Sequence, residues 1–338
     1  MKKTIASMLL VTSSLAFAGD HTLNLVGRFG FENANRDSAK SGMSDSTMIR
    51  GDWARAYFAG KLNATTKYAM TLNFLDTSTP VATKDRVPAL VDELYIKKSL
   101  MGFDLTLGKQ ATLFGGVDTQ RTGADQYVKS LFWTAADALG SQMGVGLSRE
   151  IMGHTLSVEA FNGNSDRVTG SMSAQSKMGY AAQLNADFMT GLVKSTLGYT
   201  SKKTVRAEGP DNYLGFGVQF NPAVVSVELD YGVKTQVKAG TAKQDKKETT
   251  LAAMFSYTGD ENFRPFVKYV KDEDKTSATG TKVQDIDRLA LGLEYKESKT
   301  DATRYHAVVS QETYKPVSGN KYSVKTVMLG AKFDVAVF

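Results

Sequence analysis

The sequence predicts an all-β fold, a transmembrane antiparallel β-barrel of about sixteen strands, on three observations. Apolar side chains recur at every second position in one run after another. The connections between those runs alternate between short and long. No segment beyond the N-terminal leader is apolar over the roughly 20 residues that a helical span needs. A chain in a bilayer must satisfy every backbone N–H and C=O internally, which only helices and closed barrels do. Without a helical span, a membrane location demands the barrel.

The leader is set aside first. Lys2 and Lys3 open it, Thr4 to Leu15 is mostly apolar, and Ala16-Phe17-Ala18 puts small residues at the two positions a signal peptidase reads, with Gly19 following. This is the three-part plan of a secretory signal peptide over residues 1–18. It makes the chain an exported one, with residues 19–338 as a single barrel domain. The absence of Cys excludes disulfides, thiolate metal sites and lipid attachment at a processed N-terminal Cys. The formal net charge of +6 includes Lys2 and Lys3, so the mature chain is too mildly basic to argue for a nucleic-acid partner.

In chain order, the first eight runs fall at 22–31, 48–62, 67–75, 90–98, 102–109, 141–149, 154–162 and 177–186. The remainder fall at 192–200, 211–220, 223–233, 248–258, 263–271, 286–296, 303–312 and 321–338. Tyr68, Met70, Leu72 and Phe74 show the alternation early, and Leu156, Val158 and Ala160 repeat it. Leu214, Phe216, Val218 and Phe220 alternate with Tyr213, Gly215, Gly217 and Gln219. After the turn signal Asn221-Pro222, Val225, Val227, Leu229 and Tyr231 alternate with Ser226, Glu228 and Asp230. Leu289, Leu291, Leu293 and Tyr295 alternate with Arg288, Ala290, Gly292 and Glu294. Period 2 is the mark of a strand with one apolar and one polar face. A count of fourteen strands stays open beside sixteen.

Even-numbered strands are followed by short links such as Asn63 to Thr66, Met152-Gly153, Asn221-Pro222 and Gly259 to Asn262. Odd-numbered strands are followed by long polar stretches: Glu32 to Ser46, Asn164 to Ser176, Lys234 to Lys247 and Asp272 to Gln284. Loops sorted by length to two sides belong to outer-membrane barrels. Aromatic residues mark both ends of the apolar band. Tyr68, Phe220, Tyr257, Phe263, Tyr295 and Tyr305 fall at the short-turn ends, and Phe31, Tyr199, Tyr231 and Tyr269 at the long-loop ends. Such rings form interfacial girdles. Pro265 is the one Pro inside a run.

Several stretches resemble Gram-negative outer-membrane porins, of the general trimeric or the phosphate-selective type. Ala54-Arg55-Ala56-Tyr57-Phe58-Ala59-Gly60-Lys61-Leu62 is similar to their second strand. Asp92-Glu93-Leu94-Tyr95-Ile96 and Leu105-Thr106-Leu107-Gly108-Lys109-Gln110 resemble the strands before their constriction loop, and Leu113-Phe114-Gly115-Gly116 the Phe-Gly-Gly element within it. The chain ends in Phe338, as porins do for the barrel-insertion machinery. The resemblance implies a homotrimer in outer-membrane lipid and a constriction loop over residues 111–139, folded into the lumen. Two departures stand out. The family's Pro-Glu before Phe-Gly-Gly is absent. The series Leu329, Ala331, Phe333, Val335, Val337 is one residue out of phase with Phe338, which calls for a bulge near the terminus or a reassigned lipid face.

Alternation turns a set of charged residues inward: Arg28, Arg55, Lys61, Lys97, Lys177, Lys194, Arg264, Lys268, Arg288, Lys296 and Arg304, against Glu93, Glu159, Glu228, Asp230 and Glu294. Charge at the bilayer midplane costs about 2–4 kcal/mol for Arg or Lys, so such residues face water. The bland alternative is that these charges only pair with one another. The functional one is a basic wall that concentrates anions. By resemblance, the loop acids Asp118 and Asp125, with Arg121 beside them, face Arg28, Arg50 and Arg55 and set a transverse field. The three His residues, His21, His154 and His306, lack the spacing of a metal helix. No cofactor or catalytic constellation is visible, and an enzyme is not expected. The expected function is a water-filled channel for passive diffusion of small hydrophilic solutes and ions with a modest anion preference. The rivals are a substrate-preferring anion channel of the phosphate type and an adhesin or receptor barrel with a closed lumen.

Overall fold

The structure, a computed structural model, describes residues 21–37, 45–74, 90–162, 178–203, 210–237, 245–276, 281–317 and 319–337. The expected leader, Lys177 and Phe338 lie outside the described residues, as does the side chain of Arg50. The strands are β1 (His21–Arg36), β2 (Ser46–Asn63), β3 (Thr66–Asn73), β4 (Val91–Leu100), β5 (Phe103–Ala111), β6 (Ser141–Ile151), β7 (His154–Asn162) and β8 (Met178–Phe188). They continue as β9 (Val193–Lys203), β10 (Pro210–Phe220), β11 (Val225–Val237), β12 (Asp245–Tyr257), β13 (Phe263–Thr276), β14 (Thr281–Tyr295), β15 (Thr303–Pro316) and β16 (Tyr322–Ala336). Each pairs antiparallel with its sequence neighbours, and β1 pairs with β16 to close the barrel at sixteen strands. Closure leaves no edge strand for another chain to pair with.

The alternation reads directly onto the two faces. Leu214, Phe216, Leu229, Leu251, Leu289, Leu291 and Val309 are exposed on the outside, while Tyr213, Glu228, Thr250, Arg288 and Ala290 are buried on the inside. Of the expected girdle residues, Phe31, Tyr199, Tyr231 and Tyr269 at one rim and Phe220, Tyr257, Phe263, Tyr295 and Tyr305 at the other are exposed, while Tyr68 is half-buried. The short turns are tight. Met101-Gly102 and Met152-Gly153 take positive φ at both residues, the backbone of two-residue hairpins that follow the strand twist.

Two expectations are corrected. Strands on the long-loop side outrun the alternation, so residues 234–237 and 245–247 of one polar stretch, and 272–276 and 281–284 of another, belong to strands. Beyond the bilayer both faces of a strand meet water, and the apolar signal disappears while the hydrogen-bond ladder continues. In β16 the register runs without a shift from Val324 to Ala336, and Leu329 and Val335 face outward. Neither a bulge nor a reversed lipid face occurs there. A register shift occurs instead in β2, where Arg28 pairs with Trp53 and Phe29 with Gly51.

Candidate functional site

The segment between β5 and β6 lies against the inner wall. Its first residues run along β7 to β11. The Leu113 N–H donates to Glu159 (2.9 Å), the Leu113 carbonyl accepts from Thr200, and the Phe114 carbonyl accepts from Gln183. Gly115 makes the approach possible. A Cβ there would stand 1.9 Å from the Gly215 carbonyl oxygen, and one on Gly198 would stand 2.3 Å from the Gly115 nitrogen. The inward glycines Gly198 of β9 and Gly215 of β10 leave room for this backbone. Phe114 packs edge-on against Tyr213 and Phe132.

Polar wall residues then fasten the loop. Asp230 accepts from the N–H groups of Val117 (2.5 Å) and Asp118 (3.2 Å). The Lys268 ammonium, 5 % exposed, donates to the Asp118 carboxylate (2.7 Å), the Gln126 amide (2.9 Å) and the Val128 carbonyl (2.9 Å). All three acceptors belong to the loop, so one side chain ties its outgoing and returning arms together. Arg28 donates to the Gln126 carbonyl (3.0 Å), and Asp125 pairs with Lys332 of β16. Burial raises the Asp125 carboxyl, but Lys332 and Thr122 outweigh it and hold the group below its usual range. Val128 inserts among Ala252, Val270, Ala290 and Val308. The loop ends in a helix, α1 (Leu131–Leu139), capped by the Ser130 hydroxyl accepting from the Trp133 N–H (2.9 Å) and stopped at Gly140 with φ +54°. Asp272 accepts from the Leu131 N–H (3.2 Å) while bonded to Thr250 and Arg288.

The space left is a cavity of about 390 Å³ between the loop and the wall of β2 to β6. Arg55 lies on its wall, paired with Asp92 (2.9 Å) and stacked on Trp53 (3.9 Å to the ring). Gly123 of the loop sits against Trp53, where a Cβ would stand 2.2 Å from the ring. Glu93 accepts from Thr71 (2.7 Å), and Asp137 of α1 faces the cavity from the loop side. Burial raises the Asp137 carboxyl against the pull of Lys129 and Arg55. A smaller recess of about 200 Å³ lies on the far side of the loop, between Arg121, Asp125 and Tyr127 and the short-turn ends of β10 to β14.

Register arranges the cavity wall into rows. Tyr57, Thr71 and Glu93 share one row across β2, β3 and β4. Ala59, Ala69 and Tyr95 share the next, and Lys61, Lys67 and Lys97 share the one at the short-turn rim. Lys97 pairs there with Asp104 (2.8 Å). Like charges directly opposite one another in a sheet destabilise it, so a three-lysine row is a feature that folding alone does not favour.

The expected site residues therefore divide. Arg55 and Arg121 line the cavity, and Lys61 and Lys97 stand beyond it on the same strands. Arg28, Asp118 and Asp125 are fasteners of the loop, and Arg50 lies in β2 opposite Gly30. The expected juxtaposition of loop acids with Arg55 is corrected, and the side chain of Arg50 lies outside the described residues. Asp118 and Asp125 meet Lys268 and Lys332, Arg28 meets a loop carbonyl, and Arg55 meets Asp92 of its own wall. The loop lies on the β7 to β16 side, which turns its carboxylates into the wall behind it. Asp272, Lys332 and Lys67 were missed as inward groups. Continuing the alternation past residue 271, and through the last and third strands, would have found them. His306 is buried beside Tyr127 (5.1 Å between rings). Among the described residues no helix is long and apolar enough to cross a membrane.

Residues 23–233 match the model of a family described as Phosphate-selective porin O and P. Among solved structures, the chain is similar to an anion-selective porin from Comamonas acidovorans at 13 % identity and TM-score 0.68, over 94 % of this chain and 100 % of that one. It is similar to the outer membrane channel DcaP of Acinetobacter baumannii at 13 % identity and TM-score 0.69, over 93 % and 97 %. OmpT, an outer membrane protein of Vibrio cholerae in its trimer form, matches at 13 % identity and TM-score 0.63, over 93 % and 99 %. At these identities the likeness is one of fold. No curated protein matches the chain in sequence.

Proposed function

The chain belongs to the phosphate-selective porin O and P family, and from that premise we propose that this outer-membrane channel prefers small anions, oxyanions of the phosphate type included. Passive diffusion through the barrel is the family's activity. The sign preference rests on one observation, the row of Lys61, Lys67 and Lys97 across three adjacent strands at the short-turn end of the cavity wall. A fixed cationic row inside a low-dielectric tube raises the local anion concentration. Arg55 and Arg121 line the passage above it, while Arg28, Asp118 and Asp125 act indirectly by holding the loop that narrows it. The same reading gives a signal peptide removed after Ala18, both barrel termini on the periplasmic side, and a homotrimer. Support for the trimer comes from the trimer form of the Vibrio cholerae protein.

Reversal potential in a salt gradient tests the preference. Purified protein should show a reversal potential of anion-selective sign at 0.1 M salt, weaker at 1 M as the Debye length falls from about 10 Å to about 3 Å. Replacing Lys61, Lys67 and Lys97 together by Gln should move it toward cations. An unmoved potential at low salt would overturn the assignment of sign to this row.

A further inference from the structure

The cavity above the lysine row carries the opposite sign. Asp92, Glu93 and Asp137 line it against Arg55 and Arg121. Both guanidinium groups are already engaged, Arg55 with Asp92 and Arg121 with Glu228 (2.5 Å). Burial makes the ionised form of Asp137 less favourable than in water, Lys129 and Arg55 attract its charge without outweighing burial, and Asp92 repels it. A cationic group entering the cavity relieves this imbalance. Glu93 lies four residues before Lys97 on β4, and Tyr57 and Lys61 are spaced alike on β2, so the two charge zones are about 13 Å apart along the wall at about 3.3 Å per residue.

We infer that the passage takes small zwitterions, solutes carrying one ammonium and one carboxylate group, as a second substrate class beside simple anions. The ammonium end is met by Glu93 and Asp137 in the narrow part, and the carboxylate end is handed toward Lys61, Lys67 and Lys97. An ion of either sign meets one favourable and one unfavourable zone. A zwitterion turns to suit each, because its two charges are a few ångströms apart and it is free to rotate between zones spaced more widely than that. The inference rests on the lysine row acting on anions as proposed above, and adds the acidic zone to it.

Swelling of proteoliposomes separates the two readings. At low ionic strength the wild-type channel should admit glutamine several-fold faster than xylitol, a neutral polyol of similar size. The double substitution Glu93→Gln and Asp137→Asn should bring glutamine down to the xylitol rate and leave xylitol unchanged. Asp137→Asn alone, a near-isosteric change at a helix position facing the cavity, should give part of the effect and guards against misfolding of the double variant. Equal wild-type rates for the two solutes would overturn the inference. So would an equal slowing of both in the double variant, which reports a narrower passage and not a lost charge. The reversal potential of the lysine variant is a separate measurement, so failure of the anion reading is seen independently.

Discussion

Lys268 illustrates how a single residue sets the shape of the passage. Its ammonium is buried and satisfied by three loop acceptors, so removing it leaves the Asp118 carboxylate buried without its cation. Breaking one half of a buried pair costs about 3–5 kcal/mol. Lys268→Met should release the loop while the strand ladder of β13 stays intact, and single-channel recordings should show a larger and noisier conductance. Adding Asp118→Asn should quiet it partly, since a neutral amide tolerates burial better than a lone charge. Unchanged conductance in Lys268→Met would mean that Asp230, Asp272 and the apolar contacts hold the loop alone. Asp125 adds a pH dependence. Its carboxyl is held below the usual range by Lys332, against the effect of burial. A depressed folded-state pKa stabilises the fold above the unfolded value of about 3.9 and ceases to do so as pH falls through the folded value. Loop noise should therefore stay flat at pH 5 and rise only below about pH 4, and Asp125→Asn should abolish that step. A step already present near pH 6 would assign the release to another group.

At the level of elements, the loop is built to lie flat. Its backbone touches the wall at Gly198 of β9 and Gly215 of β10, where no Cβ intervenes. Gly198→Val suits a strand by propensity but places a side chain where the Gly115 nitrogen lies, 2.3 Å from the new Cβ. The barrel should fold, and the loop should be pushed into the cavity. Conductance should fall, the opposite direction to Lys268→Met, and a rise would show that the loop swings away instead. The helix α1 completes the element. It buries Phe132, Trp133 and Leu139 toward the loop and wall, each worth roughly 1.5–3 kcal/mol, and leaves Asp137 facing the passage.

For the whole molecule, closure of sixteen strands makes stability a property of the ring. No strand can fray without opening two ladders, so the unheated protein should migrate differently from the boiled one on a denaturing gel and show β-type circular dichroism before boiling. A helical spectrum would contradict the fold. The sorting of turns gives a second test at this scale. A short polar epitope after Gly240 or Gly280 should label intact cells. One between Asn221 and Pro222, in a short turn, should label only after the outer membrane is opened. Surface labelling at both would mean that long and short connections are not sorted to opposite sides.

What the sequence by itself determined is the set of strands and their faces. Period 2 is local, so Leu289 to Tyr295 or Val225 to Tyr231 announce strand, lipid side and water side without reference to any other part of the chain. The same locality explains where the reading stopped. From Lys271 to Thr276 both faces are polar, and the strand persists only because its ladder with β12 and β14 persists. The helix at Leu131 to Leu139, capped by Ser130 and Gly140, was not read from the sequence, because an apolar stretch so short does not declare a helix until it has a wall to pack on. Which charges meet was decided by tertiary structure alone. Lys268 and Asp118 are 150 residues apart, and Asp125 and Lys332 are 207 apart. Their pairing depends on the path of one loop across a closed ring. Alternation could say that Lys268 faces inward, but not what it meets. Only the folded barrel, by laying the loop on the β7 to β16 side, decided which charges hold the loop and which face the passage.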